Sequence, residues 1–182
     1  MKKLSLRARV LTGVAAAAVV AGTVGAASAS ASAPAAAPAV KTDTKNRNLQ
    51  ESTHLTLAAA TRAAQATLDA AEKENQRVSV AVVDRNGNTI LTLRGDGAGP
   101  QAYESAVKKA YTAVSWNAPT SELAKRLANA PTLKDIPGTL FLAGGAPVTA
   151  EGAPIAAIGV AGAPSGDLDE KFAQAGVAAL GQ

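Results

Sequence analysis

Residues 78–93 read Val78-Ser79-Val80-Ala81-Val82-Val83-Asp84-Arg85-Asn86-Gly87-Asn88-Thr89-Ile90-Leu91-Thr92-Leu93. Val78, Val80 and Val82 alternate with Ser79, Ala81 and Val83, so the first half is a strand that is nearly apolar on both faces. Asn86-Gly87 supplies the positive φ angles of a tight turn inside Asp84–Asn88, and Thr89–Leu93 resumes as a second strand. Residues 77–94 therefore read as a β-hairpin.

Helical patterns flank the hairpin. Leu57, Ala60, Ala64, Leu68 and Ala71 recur at three- and four-residue spacings, with Thr56 as N-cap and Glu72-Lys73-Glu74-Asn75 as a solvated end. On the other side, Gly95-Asp96-Gly97-Ala98-Gly99-Pro100 is a glycine-rich connection. It leads into a helix from about Gln101 to Trp116 whose inward stripe (Ala102, Ala106, Ala110, Ala113, Val114) permits close backbone approach. Asn117-Ala118-Pro119 stops it, and Thr120 caps a shorter helix through Leu127. A loop with Pro131 and Pro137 leads to a strand Thr139–Ala143, a Gly144-Gly145 turn and a last strand Pro154–Val160. After Ser165-Gly166 a closing helix, Asp167–Leu180, turns Leu168, Phe172, Ala175 and Ala179 inward. The reading is a single α+β domain, an antiparallel sheet of about five strands flanked by helices.

Residues 1–33 read as a secretory signal. Lys2, Lys3, Arg7 and Arg9 form its charged start, Val10–Val24 its apolar run, and Ala27-Ser28-Ala29, Ala29-Ser30-Ala31 and Ala31-Ser32-Ala33 offer small-residue cleavage sites. The apolar run is shorter than the ~20 residues of a membrane-spanning helix, which sets a cleaved signal against a retained anchor. Residues 34–52, rich in Ala, Pro, Lys and Asn, form a flexible leader, and 53–182 the folded domain.

Charge and composition narrow the chemistry. The four basic residues of the signal account for the whole net charge of +4, so the mature chain is neutral; with 3% aromatic residues it is no candidate for nucleic-acid binding. Without cysteine there is no disulfide, thiolate metal site or cysteine nucleophile. His54, the one histidine, precedes the first helix at the edge of the leader, and no serine sits in a G-x-S-x-G elbow, which excludes a hydrolytic triad. Gly95, Gly97 and Gly99 lack the dinucleotide-binding spacing.

Oxygen ligation remains. Asp167 and Glu170 lie three apart on one helix face, a spacing that suits a hard cation such as ferric iron, although acids at a helix start are favoured by the dipole alone. Glu104 and Lys109 are five apart, too far around a helix to pair with each other, which leaves solvent, a ligand or another subunit as the partner of each. For haem, the axial donors on offer are His54, Tyr103, Tyr111 or unusual oxygen ligands.

Several stretches together carry a family resemblance. They are Val80–Asn88, Arg94–Ala98, Lys109–Ala113, Pro137-Gly138 with Gly144–Val148, Ala157–Val160, and Asp167-Leu168-Asp169-Glu170. In order and spacing, over roughly Leu55–Leu180, the chain resembles the GlcG/HbpS family of small haem-binding α+β proteins. The resemblance implies haem b as cofactor, iron as a second ligand, a homo-octamer, and an extracellular accessory role beside the membrane sensor histidine kinase of a two-component system responding to haem and redox stress. It implies binding rather than catalysis, with a haem-degrading or small-metabolite enzyme as the alternative. By the same resemblance Thr139 supplies an oxygen contact to the haem iron, with His54 nearby or from a neighbouring subunit. Asp167 and Glu170 would bind iron released from haem, and Glu104 and Lys109 would meet a partner from an exposed helix. A hydroxyl is a weak iron ligand, so haem held this way exchanges readily, which suits sensing or scavenging.

Overall fold

The apolar alternation of the first strand is answered by helices on both faces of the sheet. In the computed structural model, which describes residues 43–181, β1 (Ser79–Asp84) and β2 (Thr89–Arg94) form the expected hairpin. β3 (Gly145–Ala150) and β4 (Ala153–Ala161) form a second hairpin, and β1 pairs with β4 to join the two. The sheet is antiparallel throughout, has four strands rather than about five, and runs in the order β2-β1-β4-β3. The signal segment 1–33 and the first part of the leader, 34–42, lie outside the described residues. The compact unit begins at Asn46, and no helix among the described residues is long and apolar enough to cross a membrane.

Strand parity divides the core. Val80, Val82, Ala156, Ile158 and Val160 face α1 (Leu57–Lys73) and α4 (Gly166–Ala178), meeting Ala60, Ala64, Leu68, Phe172 and Ala173. Ala81, Val83, Ala157 and Ala161 face α2 (Pro100–Trp116), meeting Ala102, Ala106, Ala110 and Ala113. β1 and β4, covered on both sides, are the interior strands, and burying each Val or Ile there stabilises the fold by about 1.5–3 kcal/mol. The small-residue stripe of α2 has a structural purpose. The helix crosses so close above β4 that a Cβ at Gly159 would strike the Ala106 carbonyl oxygen and approach the Ala110 nitrogen at 2.5 Å.

The ends of the elements follow their sequence signals. Thr56 accepts the Ala59 N–H and Ser165 the Leu168 N–H as N-caps, Pro100 opens α2, and Asn117 closes it in the left-handed region at φ 48°. Several expectations of detail fail. Residues 139–143 form no strand, because their polar groups go elsewhere: Leu140 N–H donates to the Thr112 hydroxyl, and the Thr139 hydroxyl donates back to the Ile136 carbonyl. The third strand starts instead at Gly145, and the hairpin turns at Glu151-Gly152 rather than Gly144-Gly145. Thr120 opens α3 (Thr120–Arg126) as its first residue, not its cap. On α4 the inward stripe is Asp169, Phe172, Ala173 and Gly176, while Leu168, Ala175 and Ala179 are only half-buried.

Candidate functional site

Between α3 and β3 the chain runs through a 3-10 turn (Pro131–Asp135) and an irregular stretch to Ala143. Three contacts fix this stretch against the body. The Leu140 N–H meets Thr112 Oγ1 at 2.8 Å, and that hydroxyl itself donates to the Lys108 carbonyl at 2.7 Å. Gly138, at φ +81°, lies against the Tyr111 ring, which is wedged between it and Gly87 of the β1–β2 turn. Phe141 is buried in a small separate core with Ala118 and Leu123 and meets Trp116 edge to face at 5.2 Å.

Around these anchors the stretch shows apolar groups to solvent. Ile136 is 41% and Leu142 57% exposed, and half-buried Thr139 lies between them in sequence. Thr139 Oγ1 donates its proton to the Ile136 carbonyl at 2.8 Å, which leaves the oxygen lone pairs free to accept or to coordinate. A hydroxyl oxygen with free lone pairs is a hard donor, the type that suits a hard cation.

Beneath the stretch sits a buried ionic cluster. Lys109 Nζ donates to Asp169 Oδ2 at 2.7 Å and to the Val160 carbonyl at 3.0 Å, and both side chains of the pair are nearly inaccessible. Asp169 Oδ1 accepts the Ala163 N–H at 3.0 Å. Burial pushes the Asp169 carboxyl above the ordinary carboxylate range, with the Lys109 ammonium pulling the other way. Glu170 next to it accepts from Ser121 Oγ at 2.5 Å, Ser121 N–H at 2.9 Å, Gly144 N–H at 3.3 Å and, more weakly, Thr120 Oγ1 at 3.4 Å. Thr120 Oγ1 in turn accepts the Gly145 N–H at 2.8 Å. Gly144 sits at φ +130°, and a Cβ there would come within 2.6 Å of both Lys109 Nζ and the Val160 oxygen, so the position admits only glycine.

The cluster corrects two expectations. Lys109 is not on an exposed partner-facing surface: it lies on the Ala102–Ala106–Ala113 stripe, is 5% exposed, and is bound to Asp169. Glu104 is exposed and pairs with Lys108 at 3.6 Å, one turn along α2. Asp167 and Glu170 do not act together either, since Asp167 faces solvent while Glu170 is buried with its oxygens occupied by N–H and O–H donors. Three residues along a helix is still about 60° of rotation, enough here to separate outside from inside. Among the described residues no three His, Asp or Glu side chains are grouped to hold a metal ion. His54 is exposed and lies 2.7 Å from the Ser52 hydroxyl; no hydrogen bond links it to Thr139. Tyr111, one of the axial donors the sequence offers, instead packs its ring between Gly87 and Gly138, while Ile136 and Leu142 carry no site expectation from the sequence, although apolar residues inside a Pro- and Gly-rich stretch are the available signal.

Comparison with known proteins agrees with this architecture. Residues 55–178 match the family described as haem degrading protein HbpS-like, and the chain belongs to that family. The crystal structure of a double mutant of Streptomyces reticuli HbpS is 73% identical, covers 79% of this chain and 99% of that one, and superposes with a TM-score of 0.78. The structure of a PduOC:heme complex is 26% identical over 70% of this chain and 95% of that one, with a TM-score of 0.64. An uncharacterized 15.0 kDa protein of Citrobacter freundii, from a dhaT-dhaS intergenic region, is 35% identical over 122 residues, 64% of this chain and 85% of its own length.

Proposed function

We propose that the chain is an exported haem-binding protein that reports extracellular haem to a membrane sensor histidine kinase, working as a homo-oligomer. The observation that carries the haem reading is the Thr139 hydroxyl, its proton committed to the Ile136 carbonyl, on a stretch that also leaves the Ile136 and Leu142 side chains exposed. A related domain solved as a complex with heme supports the ligand. Export rests on the signal pattern of residues 1–33, and the kinase and the octamer rest on the family resemblance. Because the Asp167–Glu170 pair is split, the iron in this reading is that of the porphyrin.

When bound, haem would bring a ferric centre open to an oxygen ligand; Thr139 would supply that oxygen, and Ile136 and Leu142 would shield the porphyrin edge from water. Titrating haemin into the mature chain should give a saturable Soret change, and Thr139→Ala should weaken it roughly tenfold, the equivalent of about 1.4 kcal/mol. A spectrum identical to free haemin at stoichiometric protein would overturn the reading. The family's description favours a second reading, degradation of haem. Under reductant and oxygen it predicts catalytic loss of the Soret band with release of iron, whereas a binding protein keeps the band.

A further inference from the structure

The segment that bears Thr139 is tied to the body at both ends by one side chain. Ser121, at the start of α3, gives its N–H and its hydroxyl to Glu170, and Gly144, at the entry to β3, gives its N–H to the same carboxylate. Thr120 and Gly145 close the ring, since the Gly145 N–H donates to Thr120 Oγ1, which itself faces Glu170 Oε2. Residues 121–144 thus leave and rejoin the domain at a single carboxylate held on α4. Between those ends the segment packs through Leu123 and Phe141, with Leu127 and Leu133 beside them, against Ala118 and the α2 residue Trp116, and makes further α2 contacts at Thr112 and Tyr111. Glu170 also supplies what α3 lacks, because Pro119 at its N-cap position offers no side-chain acceptor.

We infer that Glu170 is a positioning residue for haem binding: it closes the 121–144 segment like a clasp and so fixes where Thr139, Ile136 and Leu142 stand. The binding half of this inference rests on the haem reading above; the clasp itself does not. Removing the carboxylate leaves the buried N–H groups of Ser121 and Gly144 without acceptors, and the segment is the part free to move to rehydrate them. Lys109 and Asp169 still hold α2 to α4, so the rest of the fold keeps its anchor.

The test uses the mature chain, with hydrogen exchange followed by mass spectrometry and haemin titration in parallel. In Glu170→Ala, peptides within 121–144 should exchange at least tenfold faster while peptides from α1 and β1 are unchanged, and haemin affinity should fall roughly tenfold. Glu170→Gln keeps an acceptor for the N–H groups and should restore most of both. Unchanged exchange in 121–144 would overturn the clasp, and faster exchange with wild-type haemin affinity would overturn its part in binding. If Glu170→Ala fails to fold, Ser121→Ala, which deletes only the hydroxyl bond, is read by the same two criteria. A wild-type chain that ignores haemin sinks the haem reading and the binding half with it, while the exchange result still decides the clasp.

Discussion

Replacing Lys109 by methionine removes the ammonium that faces Asp169 at 2.7 Å while keeping a long apolar stem on the α2 stripe. The Asp169 carboxylate is then buried with only backbone N–H support, chiefly from Ala163, and breaking one side of a buried pair costs about 3–5 kcal/mol. The carboxyl has one escape, which is to bind a proton. Protonating a group of ordinary pKa ~3.9 costs about 4 kcal/mol at pH 7 and about 1.5 kcal/mol at pH 5, so these values bound the loss from the unpaired charge. The pH dependence has a definite sign. A carboxyl whose folded pKa lies above its unfolded value stabilises the fold most below the unfolded value, and that contribution is lost as pH rises through the folded pKa. Burial already places Asp169 in that class, and losing Lys109 moves it further. The loss that Lys109→Met suffers from the unpaired charge should therefore be at most about 4 kcal/mol at pH 7 and shrink to at most about 1.5 kcal/mol at pH 5. Urea unfolding at fixed protein concentration, read by far-UV circular dichroism and by the fluorescence of Trp116, measures both. Lys109→Met/Asp169→Leu, with neither charge, should recover most of the loss. A deficit below about 1 kcal/mol at pH 7, or one equal at the two pH values, would refute the reasoning.

Gly159→Ala drives a methyl into the Ala106 carbonyl and should cost about 1–3 kcal/mol or more, seen as a lower thermal midpoint; an unchanged midpoint would mean that α2 does not press on β4 as described. Burial opposes ionisation of Asp84, but the N–H groups of Asn86 and Asn88 and the Asn88 side chain outweigh it and hold the carboxyl below its usual range. A carboxyl of that kind contributes stability present above its unfolded pKa and lost as pH falls through the folded one. Asp84→Asn should therefore flatten the decline of the melting point below about pH 4, and parallel acid profiles for the two proteins would contradict this.

The parts of the fold that local pattern determines were legible in the sequence. The period-2 apolar run of β1, the Asn-Gly turn, the alanine stripe of α2 and the Thr56 and Ser165 caps each carry their signal within a few residues. What misled was punctuation. Gly144-Gly145 and Pro147 look like turn residues, yet β3 is an edge strand, where a proline nitrogen can face away from the ladder. Thr139–Ala143 look like strand residues, yet Thr139 bonds back to Ile136 and the Leu140 N–H is taken by Thr112, a partner that no local pattern announces. Of the candidate site, Thr139 lies on the irregular stretch before β3, and the exposure of Ile136 and Leu142 on the same stretch depends on a loop path that the sequence pattern does not specify.

The acidic start of α4 shows how the same letters serve opposite ends. Asp167-Leu168-Asp169-Glu170 at a helix N-terminus reads as a solvated or metal-binding patch, because such acids are favoured there by the dipole. The counter-signal was sixty residues away: Lys109 falls in register with Ala102, Ala106 and Ala113 on a face otherwise made of small apolar residues. A lysine on such a stripe must be buried, and a buried ammonium requires a buried carboxylate. Once Asp169 is drawn inward, Glu170 beside it enters the interior as well, where two N–H groups and two hydroxyls stand in for a counter-ion. This arrangement leaves the acids unavailable to a free metal ion and fixes both ends of the loop that bears Thr139. In the proposed reading the oxygen contact to the haem iron falls to Thr139 on that loop, whose two ends are held by a carboxylate that Thr139 itself does not touch.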